Sequence, residues 1–345
     1  MRVLITGSSG QIGTNLALRL LEEGHFVFGV DKRQNTWTDR FPYLLQDLSA
    51  PFANYKGGIG AVEYPQVDVV VHLAANAKVH QLVQEPHRAM ENIQITYNVL
   101  EYCRQNEVPI IFSSSREVYG DIHRYITDEQ QADFAFTEST YSASKISGEA
   151  LIYSYARCYG LRYLVFRLSN VYGRYDNDLE RMERVIPLFI RRISQGEPIT
   201  IYGRDKVLDF THVDDCIDGL CRGIEWLLSQ GAGGETINLA CGEGYTLLEM
   251  AELIGEAVGK EPDITIAPTR LGEVTHYVAD ITKARKLLRY EPQTTLEAGI
   301  PKAVEWATRW WAGHDGFHLC LIRYRQRDCG SRRSNGEDKT YENGE

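Results

Sequence analysis

No C-x-x-C pair occurs among the seven cysteines. They are odd in number and scattered, which leaves neither a disulfide framework nor zinc-ligand spacing, so no metal is expected. They read as buried thiols of a reducing compartment, the cytoplasm by default. No apolar run approaches the ~20 residues that cross a bilayer. The N-terminus goes straight into a strand pattern, so no signal peptide is expected. Basic residues are outnumbered, 37 Lys and Arg against 47 Asp and Glu. The resulting charge of −10 lacks the positive footprint of a nucleic-acid binder. Repeats and low-complexity linkers are missing as well. What remains is an ordinary globular composition, 43% hydrophobic over 345 residues. That length holds one large α/β domain or two modest ones.

The first fifty residues carry the clearest pattern. A strand from Arg2 to Thr6 runs into Gly7-Ser8-Ser9-Gly10-Gln11-Ile12-Gly13. The spacing predicts a helix over Asn15–Glu23, closed by Gly24, and a second strand over Phe26–Val30 ending at Asp31. Glycines let the backbone turn sharply and approach a pyrophosphate held at the positive end of the helix. Asp31 follows Gly13 by 18 residues, about where a carboxylate binds a ribose diol. A 2′-phosphate would be repelled there, which favours NAD over NADP, although Arg33 is near.

Further strands are predicted over Tyr43–Leu48, with Asp47 at its exit, over Val67–Leu73, running into Ala74-Ala75, and over Val108–Ser114. Small residues at Ala74 and Ala75 suit a backbone lying against a cofactor. A long amphipathic helix over Pro86–Gln105 contains Asn92. Strands alternating with helices predict a Rossmann-type, doubly wound parallel sheet covered on both faces. Gly13, Asp31, Ala75 and Ser115 fall at strand ends, where such sheets bind ligands. Residues 121–140 read as mostly polar loop. A strand over Leu161–Leu168 follows the Tyr141 helix. The second half predicts helices over Val185–Gln195, Val213–Leu228, Leu247–Val258 and Leu296–Trp311, and short strands at Ile199–Tyr202, Thr236–Leu239 and Asp263–Ile266. The expected organisation is residues 1–170 as a cofactor-binding domain, 171–311 mainly as a smaller mixed α/β substrate lobe, and 312–345 as a polar, partly disordered tail.

Tyr141 and Lys145 sit four apart at the start of a helical pattern, so their side chains share a face. A phenol ionises near pH ~10 in water. A neighbouring ammonium favours the phenolate, making the pair a base for an alcohol proton. Alone, such a pair is better explained by a solvated helix face, and Ser115 alone reads as a turn residue.

Taken together, Gly7-Gly10-Gly13, Asp31, Ser115, Tyr141 and Lys145 resemble the extended short-chain dehydrogenase/reductase family, in its nucleotide-sugar epimerase and dehydratase branch. The resemblance spans residues 1–311. It extends to His72-Leu73-Ala74-Ala75, Val118-Tyr119-Gly120, Arg167-x-x-Asn170-Val171-Tyr172-Gly173 and Asp209-Phe210-Thr211-His212-Val213-Asp214-Asp215. It implies tightly held NAD that oxidises the sugar, usually at C4, and later returns the hydride. Tyr141 would take the hydroxyl proton. Lys145 would lower the Tyr141 pKa and hold the nicotinamide ribose, and Ser115 would bond the reacting oxygen. Gly7, Gly10, Gln11, Ile12, Gly13, Asp31, Asp47, Leu48, Leu73, Ala74, Ala75 and Asn92 complete the cofactor set. Asn170 and Arg270 would meet substrate phosphates, and Glu273 the nucleotide ribose. Pairing of two copies through the helices of Asn92 and Tyr141 is also implied.

The chain departs from this pattern in places. Leu208 stands where many members have an arginine, leaving Lys206 or Arg204 as substitutes. Arg116-Glu117 stands where dehydratases carry Asp-Glu. The leading expectation is therefore a nucleotide-sugar 4-epimerase, with UDP as the expected nucleotide. The alternative is a 4,6-dehydratase or UDP-glucuronate decarboxylase using Glu117. A non-catalytic NAD-binding regulator would need none of Ser115, Tyr141 and Lys145. Glu117 also admits a purely structural explanation, a strand-end carboxylate paired with Arg116 or Lys78.

Overall fold

Hydrophobic runs of the first half settle into β1 (Arg2–Thr6), α1 (Gln11–Glu22), β2 (Phe26–Asp31), β3 (Tyr43–Leu45) and β4 (Val69–His72). They continue with α2 (Val79–Gln84), α3 (His87–Asn106), β5 (Ile110–Ser115), α4 (Thr140–Tyr159) and β6 (Tyr163–Leu168). The second half adds β7 (Asn170–Tyr172), α5 (Val185–Gln195), β8 (Ile199–Tyr202), β9 (Val207–His212), α6 (Val213–Ser229) and β10 (Gly234–Leu239). It ends with β11 (Gly244–Thr246), α7 (Leu247–Val258), β12 (Ile264–Ala267), β13 (His276–Tyr277), α8 (Thr282–Leu288) and a final helix α9 over 296–311. This computed structural model describes residues 1–50, 64–120, 129, 137–176, 184–229 and 233–311. Most of the loop expected over 121–140 and the tail expected over 312–345 lie outside the described residues.

Seven parallel strands form the central sheet in the order β10-β6-β5-β4-β1-β2-β3. The order reverses between β1 and β4, opening the crevice where such sheets take ligands. Alternate residues face opposite sides of a strand. Leu4, Val70, Ile110, Phe112 and Val165 therefore pack with Val99 and Cys103 of α3 and Ile152 of α4. Val3, Ile5, Val71, Ile111 and Phe166 pack with Leu16 and Leu20 of α1 and Leu220 and Ile224 of α6. Burial on both faces explains why the strands read as continuous apolar runs rather than alternating ones. β10 comes from the second half of the chain yet pairs with β6 along its whole length.

The smaller lobe is built from β9 flanked by β7, β11 and β13, and from the parallel pair β8–β12. Asp209, fully buried in β9, accepts from the backbone N–H groups of Cys241, Gly242 and Ala279 at 3.0, 2.9 and 3.3 Å. One carboxylate thereby fastens three segments together.

Some boundaries differ from expectation. α1 starts at Gln11 because Thr14 N–H already donates to the Gly10 carbonyl at 2.9 Å, so the glycine loop is itself the first turn. β3 stops at Leu45. Gln46 N–H still reaches the Asp31 carbonyl at 2.8 Å, but Asp47 then accepts from Ser49 N–H at 2.9 Å and turns the chain away.

Candidate active site

The glycine loop is shaped by close approach. A Cβ on Gly13 would lie 2.3 Å from the Gly7 carbonyl oxygen, and one on Gly7 (φ +74°) would lie 2.8 Å from the Ala74 amide. Only hydrogen fits at either position, so loop, α1 and the β4 exit close on one another. The first turn of α1 has no side-chain cap, and the Gln11 amide nitrogen is buried without a partner among the described residues. Uncapped N–H groups at a helix N-terminus suit a pyrophosphate. Asp31 is buried at the end of β2 and accepts from Ser9 N–H and Arg33 N–H, each at 3.0 Å. The carboxylate is thus aimed beside the loop. These residues fit a dinucleotide.

Leu73, Ala74 and Ala75 follow β4, with Leu73 N–H donating to the Thr6 carbonyl at 3.1 Å. Asn92 is buried on α3. It accepts from Asn76 N–H at 2.7 Å and donates to the Asn76 carbonyl at 3.0 Å and the Ser144 hydroxyl at 3.2 Å. It therefore ties the β4 exit to α4. Asp47 is exposed and occupied by Ser49, and that backbone bond holds its carboxyl below the usual range. Leu48 is buried in the core under α3.

Ser139 caps α4, accepting from Ser142 N–H at 3.1 Å, and this fixes where Tyr141 and Lys145 project. The Ser115 hydroxyl at the end of β5 acts on the Tyr141 phenol and favours its ionised form. Burial pushes Tyr141 up to about 12. Ser115 draws it down, Glu117 raises it, and Arg184 and Arg116 lower it. Lys145 is buried too, and its ammonium donates to the Ser113 carbonyl at 2.7 Å. Burial lowers it to about 8 while Glu149 pulls it back up. Its nitrogen stands 5.9 Å from the centre of the Tyr141 ring. The leading cationic pull on the phenol comes from Arg184 and Arg116.

Glu117 follows Ser115 and is buried. Its N–H donates to the Ser115 hydroxyl at 3.2 Å, and its carboxylate meets Arg116 at 2.8 Å. Burial raises the Glu117 carboxyl, and Arg116 lowers it. Asn170, at the start of β7, accepts from Arg116 Nε at 3.2 Å and donates to the Asp209 carbonyl at 2.9 Å. Ser115, Glu117, Arg116 and Asn170 thus share one network at the sheet's carboxyl edge, with Tyr141 and Lys145 beside it on α4. Arg270 is exposed and stacks on Tyr202, 3.7 Å from the ring centre. Glu273 is paired with the buried Lys206 at 2.7 Å, so two residues expected to hold substrate hold each other.

Sequence reasoning missed Arg184. It donates to the Gln11 side-chain carbonyl and to the Val171 carbonyl at 3.3 Å, and pairs with buried Asp176 at 3.2 Å. Burial lifts the Asp176 carboxyl to about 7 against the pull of Arg184. Arg184 also acts on Tyr141, so one guanidinium links the α1 N-terminus to the reacting end. Its one signal is a cation directly before the apolar Val185–Ile190 run.

The profile of the NAD-dependent epimerase/dehydratase family matches residues 3–240. This chain is a member of that family. The membership makes it an NAD-dependent enzyme of the extended short-chain dehydrogenase/reductase type, which the glycine cradle and Asp31 fit. The family member is similar to a UDP-glucose 4-epimerase of Thermotoga maritima, solved with UDP-glucose. The two are 29% identical with a TM-score of 0.79, over 90% of this chain and 99% of that one. It also resembles a Thermus thermophilus UDP-glucose 4-epimerase solved with NAD, at 28% identity and TM-score 0.76, over 89% of this chain and 99% of the other. A dTDP-glucose 4,6-dehydratase of Escherichia coli is 31% identical, covering 90% of this chain and 94% of the relative. Among the described residues no helix is long and apolar enough to cross a membrane, and no cluster of ligands suits a metal.

The cofactor expectation is checked on this family member directly. Denaturing the purified protein should release NAD+ or NADH with little NADP, because the Asp31 carboxylate would repel a 2′-phosphate. Recovery of mostly NADP would overturn the assignment.

Proposed function

We propose that the protein is a 4-epimerase of nucleotide sugars, with UDP-linked sugars as substrates. The observation that carries this reading is the Arg116–Glu117 ion pair at 2.8 Å, beside the Ser115 hydroxyl that takes the Glu117 N–H at 3.2 Å. Epimerisation needs one proton relay at the reacting hydroxyl, and Ser115 with Tyr141 supplies it. Elimination needs a second acid or base, and here Glu117 is engaged by a guanidinium. The similarity to a UDP-glucose 4-epimerase bound to UDP-glucose supports the choice of nucleotide.

In this mechanism Ser115 holds the sugar oxygen and Tyr141 removes its proton, then restores it. The bound dinucleotide supplies the acceptor and donor of the sugar hydride and, when oxidised, a positive charge that favours the phenolate. Lys145, anchored on Ser113, adds a second cation on the same helix face. Arg184 and Arg116 stabilise the phenolate from the lobe side. Asn170 orients Arg116 and faces the substrate diphosphate.

The reading includes cytoplasmic residence and a homodimer paired through α3 and α4. Exposed Met90 and Tyr97 on α3 and Tyr159 on α4 support that pairing. The second reading, elimination or decarboxylation through Glu117, is favoured by one fact: Glu117 Oε2 is buried without a hydrogen-bond partner among the described residues.

Two measurements separate these readings. Glu117→Gln keeps size and removes the base, so an epimerase should stay within roughly fivefold of wild type, well short of the ~10²-fold scale of general-base loss. The reaction in D2O should leave no deuterium on carbon, since an epimerase returns the original hydride. Deuterium at C5, or an inactive Glu117→Gln protein that still holds NAD, would establish the alternative.

A further inference from the structure

Four half-buried aromatic rings from three separate segments meet in one cluster. Trp37 follows β2, Tyr175 follows β7, and Trp306 and Trp310 stand one turn apart on α9. Ring centres are 5.6 Å apart for Trp37 and Tyr175, 5.8 Å for Trp37 and Trp306, and 5.4 Å for Tyr175 and Trp306. Trp310 stacks on Trp306 and lies 5.3 Å from Trp37. Tilted and edge-on pairs at this spacing attract one another beyond the area they bury. Tyr175 is held at φ +60°, a left-handed conformation that is uncommon for a bulky side chain and persists where the surroundings over-determine it. The two rings packed on Tyr175 supply such surroundings.

Each segment gathered by the rings is bonded to residues that fit the dinucleotide. The buried Asn35 accepts through its side-chain carbonyl from Trp37 N–H at 2.9 Å and Thr38 N–H at 3.2 Å. Its amide donates to the Ser8 carbonyl at 3.2 Å and the Thr14 hydroxyl at 3.0 Å, which fastens the Trp37 turn to the glycine loop. On the other side of the cluster, Arg174 Nε donates to the Asn15 side-chain carbonyl at 3.1 Å, and Asp176 pairs with Arg184, which holds Gln11. Tyr175 therefore lies between two residues tied, directly or through Arg184, to the start of α1. The rings join these two arms and anchor both on α9.

We propose that this aromatic cluster is a clasp for the cofactor, in which Trp37, Tyr175 and Trp306 are positioning residues that keep the glycine loop and the start of α1 in the shape the dinucleotide requires. A site held in its bound shape avoids the ordering cost of binding and releases its ligand more slowly. The inference depends on the NAD cofactor and not on which sugar reaction the protein performs.

The test is the release of NADH from the loaded full chain, followed by the change in NADH fluorescence after excess NAD+ is added, beside urea denaturation of the same preparation. Trp306→Ala should speed release by about tenfold, the effect of losing one or two ring contacts. Trp306→Phe keeps a ring and should restore most of the retention. Tyr175→Asn removes a second ring but places there a residue that accepts the left-handed conformation, so it separates ring packing from backbone strain. It should speed release as well. Trp306→Ala combined with Tyr175→Asn should be little faster than either alone, since both open the same clasp. A cluster with a purely structural role would lower the urea midpoint and leave release from the folded protein at the wild-type rate, and that result overturns the inference. If Trp306→Ala does not fold, Tyr175→Asn decides alone: faster release sustains the clasp, and an unchanged rate ends it.

Discussion

Tyr141→Phe is expected to lower turnover by roughly 10²-fold or more, the usual scale of general-base loss. The substitution removes one oxygen and keeps a ring that is buried against Leu82 and Ala89. Fold and cofactor content should therefore hardly change. The oxygen removed is the one whose ionised form Ser115, Arg184 and Arg116 favour. Once it is gone, the sugar hydroxyl meets only the Ser115 hydroxyl, which is un-ionised at neutral pH and has no cation beside it to make it a base. The check is turnover beside NAD content in one preparation. Near wild-type turnover would rule out Tyr141 as the base. Lost NAD would show that the phenol serves binding instead.

Arg167→Met should be the most destabilising of these substitutions. Arg167 on β6 meets Glu149 on α4 through Nε at 3.0 Å and Nη2 at 2.7 Å, with side chains 4% and 2% exposed. Glu149 also accepts from the Ser114 hydroxyl and from the Tyr153 hydroxyl at 2.9 Å. Removing one partner of a buried pair leaves an uncompensated charge, which costs about 3–5 kcal/mol. Urea denaturation should show that loss. Activity should fall with it, because α4 carries Tyr141 and Lys145. Combining Arg167→Met with Glu149→Leu removes both charges and should recover most of the stability. A single variant as stable as wild type would mean that the pair is not what seats α4.

Periodicity and end signals make the first half legible in the sequence alone. β1, β2 and α4 are long enough for their apolar spacing to decide, and glycines mark the turn that approaches the β4 exit. Short elements were not legible. β7, β11 and β13 have two or three residues each, too few for any period to register. The site divided along similar lines. Ser115, Tyr141 and Lys145 stand in local motifs at strand and helix ends, so a linear reading could group them. Arg184 reaches Gln11 across more than 170 residues, and only the folded chain brings them together. The mutual capture of Lys206 and Glu273 was hidden for the same reason, since 67 residues separate them.

The late arrival of β10 governs how the chain can be made. Strands β1 to β6 lie within residues 2–168, but β6 finds its outer neighbour only when residues 234–239 have been synthesised. Until then the backbone N–H and C=O groups along that side of β6 stay open, and Phe166 lacks its cover from α6, where Gly223 lies close against it. An open, apolar strand edge is a template for pairing with another chain. Residues 1–170, cut free, should therefore aggregate rather than fold. The nascent chain faces the same hazard on the ribosome until the second half emerges.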